Sequence, residues 1–351
     1  MKKIRQMLLI ALVTVVVSIA AAELTLRIRC SMCSWSEANK GRYQSPFRVQ
    51  GKGWFHLRPA NRSKSYQQPE FDFPVCTNSL GVRDIEHPVD KPKDETRLVA
   101  LGDSFTEGQG AAFEDGYAKQ LEVMLNARGD QTRYRVLIGG VWGSDPFYCY
   151  QLLQHKMLEY SPDLVMLMVN QSDVVDVIVR GGHKRFLADG TVRFNEPPPY
   201  EALRRWSHLF RFITIRFFNY DWSGFSPESY AREQDKAVHS LTELFGDFEE
   251  LGQRHGFDFV VILHPMDWEV AAGGYSLPLE QIRASLAEGS IRHVDVMEPV
   301  LQATGQSREL IEEYYWLMDH HFKAVGYRLI AETVLEGLED MGALSPVGPN
   351  S

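Results

Sequence analysis

Arg97-Leu98-Val99-Ala100-Leu101-Gly102-Asp103-Ser104-Phe105-Thr106-Glu107-Gly108 is the stretch on which the fold turns. A short apolar run that stops at a glycine suits a buried strand. Downstream, Tyr117, Leu121, Met124 and Leu125 fall at helical spacing, and Arg128-Gly129-Asp130 supplies a helix stop. The alternation continues with a strand over 134–138, a helix over 147–160 and a strand over 164–169. Two further strands are expected over 257–263 and 291–296. A final amphipathic helix carries Tyr327, Ile330, Ala331, Val334, Leu335 and Leu338 on one stripe. Strands alternating with helices predict an α/β fold with a parallel sheet covered on both faces. Ligands of such sheets sit beyond the carboxyl ends of the strands. That places Gly102-Asp103-Ser104, residues 140–145 and residues 170–173 around one site.

Working outward, residues 91–95 (Lys-Pro-Lys-Asp-Glu) read as a solvated turn before the main domain. Residues 30–95 form a polar lead-in, irregular apart from a few short strands. The main domain runs over 96–340 and a tail over 341–351. Residues 177–229 interrupt the alternation with Pro197-Pro198-Pro199 and a series of aromatics from Trp206 to Trp222. They read as an inserted cap whose aromatics pack as its core, with a grip on sugar rings or lipid as the alternative.

At the N-terminus, Lys2, Lys3 and Arg5 precede an uncharged run over 7–22 that ends at Glu23. A basic start and an apolar stretch fit a secretory signal, with Ala20-Ala21-Ala22 as a small-residue cleavage site. The reading preferred here is a retained anchor over 1–29, because Leu24 to Ile28 prolong the apolar character toward the ~20 residues that a span needs. The excess of positive charge before the run would put the remainder of the chain outside the cytoplasm. The expected location is therefore the inner membrane with the main domain on the periplasmic side, or export.

Composition narrows the function. The 351 residues are 44% hydrophobic and 24% charged, with a formal net charge of −9 and no long basic block. That argues against nucleic acid as a partner, since such binding depends on neutralising phosphates. No His-Glu-x-x-His motif is present, and Cys30-x-x-Cys33 has no second pair at zinc-site spacing. No metal or other cofactor is expected. Outside the cytoplasm, Cys30 could pair with Cys33 or Cys76, whereas Cys149 reads as core.

A serine hydroxyl is a weak nucleophile unless a base takes its proton and a third group orients that base. Ser104 at a strand end has such partners late in the chain, where Asp319-His320-His321 precedes the last helix. Asp319 and His321, two apart on a loop, can supply orienter and base. No Gly-x-Ser-x-Gly elbow is present, and the order of the three residues differs from that of α/β-hydrolases. His320 is expected to face solvent or to touch a lid, and Asp103 to bond the local backbone. Asp173 and Asp176 read as loop-stabilising carboxylates, and residues 264–267 as a turn beside the cleft.

Taken together, these segments resemble the SGNH (GDSL-type) hydrolase family. Residues 102–108 match its first block, and Asp319-His320-His321 with Gly326-Tyr327 its last. Residues 137–145 look like the second block, with Gly143 at the position of the oxyanion glycine. Asn78-Ser79-Leu80-Gly81-Val82-Arg83 resembles a segment of membrane-anchored members. The resemblance covers roughly residues 76–340 and implies a three-layer α/β/α sandwich with a Ser104–His321–Asp319 triad. The implied oxyanion hole uses the N–H groups of Ser104 and Gly143 with a side chain from the third block. There the chain departs from the pattern: Asn170-Gln171-Ser172-Asp173 puts Ser172 where the family has Asn, with Asn170 as a substitute. What the resemblance implies is an ester hydrolase acting on an ester-bearing small molecule or acylated glycan. Its alternatives are an O-acyltransferase using the same serine and a catalytically inactive glycan-binding module.

Overall fold

The computed structural model describes residues 2–32, 50–129, 132–221 and 223–344. One long helix, α1 (Lys2–Met32), is followed by strands β1 (Gln50–Lys52), β2 (Ser63–Gln67) and β3 (Asp72–Cys76). Strand and helix then alternate through β4 (Glu95–Gly102), α2 (Ser104–Glu107), α3 (Tyr117–Ala127), β5 (Arg133–Gly140), α4 (Pro146–His155), β6 (Leu164–Val169) and α5 (Gln171–Arg180). A side excursion carries β7 (Thr191–Arg193), α6 (Glu201–Trp206) and α7 (His208–Phe218). The chain returns through α8 (Pro227–His255), β8 (Asp258–Leu263), α9 (Asp267–Ala272), α10 (Leu277–Glu288) and β9 (His293–Asp295). It closes with α11 (Met297–Thr304), α12 (Arg308–Tyr314) and α13 (Ala324–Asp340).

The five strands β5-β4-β6-β8-β9 form one parallel sheet in that order. Successive side chains of a strand point to opposite faces, so each apolar run feeds two cores. Val99, Leu101, Val165, Leu167, Val261 and Leu263 pack with residues of α4, α5, α8 and α10 on one side. Leu98, Ala100, Met166, Val260 and Ile262 pack with α3 and α13 on the other. The fold is thus mixed α/β, a parallel sheet between two helical layers.

The lead-in carries short strands, β1 to β3, as expected of it. It is fastened to the main domain, because its polar groups satisfy backbone atoms around the strand ends. Arg83 is buried and donates to the carbonyls of Glu107, Gly108 and Ala111. Asp84 accepts from the Ile138 N–H at 2.8 Å. Asn78 Oδ1 accepts from the N–H groups of Leu80, Gly81 and Val82, folding the turn that aims Arg83 inward. Glu95, expected in a solvated turn, instead opens β4, buried, and accepts from Arg97 Nε at 2.7 Å.

Cys76 is a free, exposed thiol and Cys149 a free, buried one. The expected core role of Cys149 fits, while pairing of Cys76 does not. Cys33, the side chain of Cys30, Asp130, Trp222 and residues 345–351 lie outside the described residues. The aromatics of the excursion also depart from expectation: Trp206, Phe212, Phe217 and Phe218 are exposed instead of forming a core. The reason is that α7 turns Arg211 and Thr214 inward.

Candidate active site

Three strand ends build the site. At the end of β4, Gly102 has φ +154, and a Cβ there would lie 2.3 Å from Thr106 Oγ1. Only glycine allows the chain to turn this tightly into α2. Asp103 caps that turn by accepting from the Phe105 N–H at 2.9 Å, which leaves Ser104 as the first residue of α2.

The loop between α12 and α13 brings the partners. His321 Nε2 lies 2.7 Å from Ser104 Oγ, and His321 Nδ1 lies 2.5 Å from Asp319 Oδ1. The network assigns the tautomer: Nδ1–H donates to the carboxylate, and Nε2 accepts from the hydroxyl. Gln109 Nε2 donates to both Asp319 oxygens, at 3.0 and 3.2 Å. Glu70, from the lead-in, accepts from the N–H groups of Met318 and Asp319, both at 2.9 Å. The Phe105 ring stacks on the His321 imidazole at a centroid distance of 4.4 Å. Burial pushes the Asp319 carboxyl up, but its bond to His321 and the charge there outweigh this and hold it below the usual range. Asp319 is therefore a carboxylate at neutral pH, able to favour a positive imidazole.

At the end of β5, Gly143 adopts φ +71, and its would-be Cβ meets only His56 Cε1 at 3.6 Å. Its carbonyl accepts from Arg180 Nη1 at 2.9 Å. The same guanidinium donates to Asp145 Oδ2 at 2.8 Å, and Arg185 Nη2 donates to both Asp145 oxygens. Asp145 also caps α4 through the N–H groups of Phe147 and Tyr148. Burial raises the Asp145 carboxyl, but Arg185 and Arg180 more than reverse it, so it stays ionised. Among the described residues, the N–H groups of Ser104 and Gly143 have no protein acceptor.

The third strand end is wired differently from the pattern of the second. Asn170 is fully buried and caps α5, and its Nδ2 donates to Asp103 Oδ2 at 3.1 Å. Its Oδ1 accepts from both the N–H and the hydroxyl of Ser172, at 2.8 and 2.7 Å. The proton of Ser172 Oγ is thus committed to Asn170. Asp173 accepts from the Asn170 N–H at 2.9 Å, the loop-stabilising role expected of it. Replacing Ser172 with Ala is expected to change kcat for p-nitrophenyl acetate by less than about threefold. Losing a true oxyanion donor costs about 10²–10³, and a drop of that size would show that the hydroxyl reaches the reacting oxygen.

His320, expected to face solvent, is half exposed, with φ +68. Its Nδ1 lies 3.0 Å from both oxygens of Asp267. That hydrogen bond raises the His320 pKa, against the opposing effect of burial. A raised histidine pKa stabilises the fold fully below the unfolded value of about 6.5, and the gain is lost as pH rises through the folded value. Asp267→Asn should therefore lower the melting temperature more at pH 6 than at pH 9. An equal loss at both would place the contribution in packing instead. His264, on the same turn, is buried against Phe105 and Phe322, and burial pushes its pKa down to about 3, so it is neutral.

Sequence reasoning singled out Ser104, His321, Asp319 and Gly143 but not Glu70, Gln109, Arg180 or Arg185. Gln109 follows the first block directly, which was a usable signal. Glu70 and the two arginines reach the site only through the fold.

No protein-family model matches the chain, and no curated protein does. Among solved structures, a lipase/acylhydrolase from Enterococcus faecalis aligns over 72% of this chain and 100% of its own at 14% identity, TM-score 0.42. A member of the lipolytic G-D-S-L family from Veillonella parvula aligns over 69% and 97%, at 14% identity and TM-score 0.42. An acetyl xylan esterase aligns over 69% and 99%, at 14% identity and TM-score 0.44. All three scores lie below 0.5, and what this chain does has to follow from its own residues.

Proposed function

We propose that this chain is a serine esterase of the SGNH type, held by α1 in the inner membrane with its main domain on the periplasmic side. The observation that carries the reading is the hydrogen-bonded series Ser104 Oγ, His321 Nε2, His321 Nδ1, Asp319 Oδ1, at 2.7 and 2.5 Å. A buried hydroxyl, a base and an orienting carboxylate in that order are what acyl transfer through serine requires.

In this reading His321 takes the hydroxyl proton as Ser104 Oγ attacks the ester carbonyl. The negative oxygen of the tetrahedral intermediate is held by the N–H groups of Ser104 and Gly143. Asp319 keeps the imidazole oriented and balances its positive charge. His321 then gives the proton to the departing alcohol, and water, activated by the same base, releases the acid and restores Ser104. The preferred substrate is a small acyl ester, such as an O-acetyl group on an envelope glycan. Support for that substrate comes from α1, whose residues 2–29 are long and apolar enough to cross a membrane, with Lys2, Lys3 and Arg5 before the apolar run against Arg27 and Arg29 after it.

A fluorophosphonate probe tests the serine: covalent labelling at Ser104 is expected. Absence of label on demonstrably folded protein would overturn the reading and leave a non-catalytic glycan-binding module. Product analysis with an acylated glycan, in water alone and with added glycan acceptor, separates hydrolysis from acyl transfer.

A further inference from the structure

Helix α7 is built inside out. A helix covering a soluble domain turns its apolar residues inward and its charges outward. Here the buried residues are Arg211 and Thr214. Arg211 Nη1 donates to the Arg204 carbonyl at 2.9 Å, and Thr214 Oγ1 to the Phe210 carbonyl at 2.9 Å. Phe212, Ile213, Ile215, Phe217 and Phe218 are left outside, the last two 71% and 63% exposed. Trp206, where α6 ends, is 77% exposed. A cluster of exposed large apolar side chains of this kind marks an interaction surface.

The position of α7 says what covers it. Glu23 of α1 accepts from Ser207 Oγ at 2.8 Å and from the N–H groups of His208 and Leu209 at 3.0 and 2.8 Å. Arg27 Nη2 donates to the Trp206 carbonyl at 2.6 Å. A carboxylate placed on the free N–H groups of a helix start both caps that helix and balances its dipole. Glu23 is also the first charge after the uncharged run over 7–22. It ties α7 to α1 at the level where a spanning helix would leave the hydrocarbon.

From this we infer that α6 and α7 form an interfacial foot, with the apolar face of α7 sunk in the outer leaflet beside α1. The occupant is lipid. Exposed Arg216 stands within that face and exposed Arg205 precedes Trp206; long enough to lift their guanidiniums to the interface, both can meet phosphate headgroups, and Trp206 has the amphipathic ring favoured at that depth. The main domain is then attached at two points, so the mouth of the site keeps a fixed height and orientation over the membrane surface. This inference rests on α1 spanning the bilayer and is independent of the esterase chemistry.

The test uses the full chain in vesicles of phosphatidylethanolamine and phosphatidylglycerol carrying a phospholipid with a diazirine in its acyl chain. After irradiation and digestion, lipid adducts are expected on residues 206–218 as well as on α1. The Phe212→Asp/Phe217→Asp variant should lose adducts in 206–218 at least fivefold while those on α1 persist. Val123→Asp, exposed on α3, should change neither. Adducts confined to α1 overturn the foot, whether its face is then open to water or covered by a second copy. Absence of adducts on α1 itself overturns the spanning assignment beneath it. Should the double variant misfold, the wild-type adduct map decides alone.

Discussion

Ser104→Ala and His321→Ala are each expected to lower kcat for p-nitrophenyl acetate by about 10⁴–10⁶-fold, and the double variant little further. Members of a nucleophile–base pair act as a unit, so removing either forfeits almost the whole gain. In this chain the unit is tightly drawn: Ser104 Oγ and His321 Nε2 are 2.7 Å apart, and Phe105 stacks on the imidazole. Neither substitution disturbs the backbone N–H groups of Ser104 and Gly143, so a residual rate above that in water should survive. Non-additivity is the sensitive readout. If the losses in the two single variants multiplied in the double variant, the residues would be acting separately and the relay would be wrong. Comparable turnover in either single variant would refute its assigned role outright.

Asp145→Ala is expected to destabilise the protein by about 3–5 kcal/mol, the usual cost of stranding a buried charge. The Asp145 carboxylate is wholly buried and sits between two guanidiniums, of which Arg185 is itself buried. Its removal leaves Arg185 with the Gly181 carbonyl and the face of Tyr148, and it removes the cap of α4. Urea unfolding of the full chain in detergent, followed by tryptophan fluorescence, measures the loss; a change below about 1 kcal/mol would contradict the argument. Activity should fall as well, because Arg180 holds the Gly143 carbonyl and thereby aims its N–H. Arg180→Ala isolates that second effect. It should lower kcat more than it raises KM, since the aimed N–H serves the transition state.

Much of this was legible in the order of residues. The runs over 98–101, 134–138 and 164–169 are strands, and the stripe from Tyr327 to Leu338 is a helix. Strands buried on both faces must be continuously apolar, and helices covering them must be one-sided. Less was legible where polar residues found partners far away. Asn78 to Arg83 belongs to a lead-in legible only as polar, yet Arg83 bonds the backbone behind Ser104, and Glu70 reaches the Asp319 loop across 249 positions. Polar composition reports the need for a partner, and that partner can be water or a distant N–H.

The stretch from Arg97 to Gly108 by itself determined a buried strand that stops at Gly102 and a serine just beyond its end. It did so because those features depend on local sterics and on burial, which residue types encode directly. Only the tertiary structure decided that His321 faces Ser104, that Arg180 holds Gly143 and that the Ser172 hydroxyl is committed to Asn170. It also decided that the aromatics of α7 face outward. The same aromatic spacing serves a core or a membrane face equally well, and the difference lies in which side of the helix the folded chain covers.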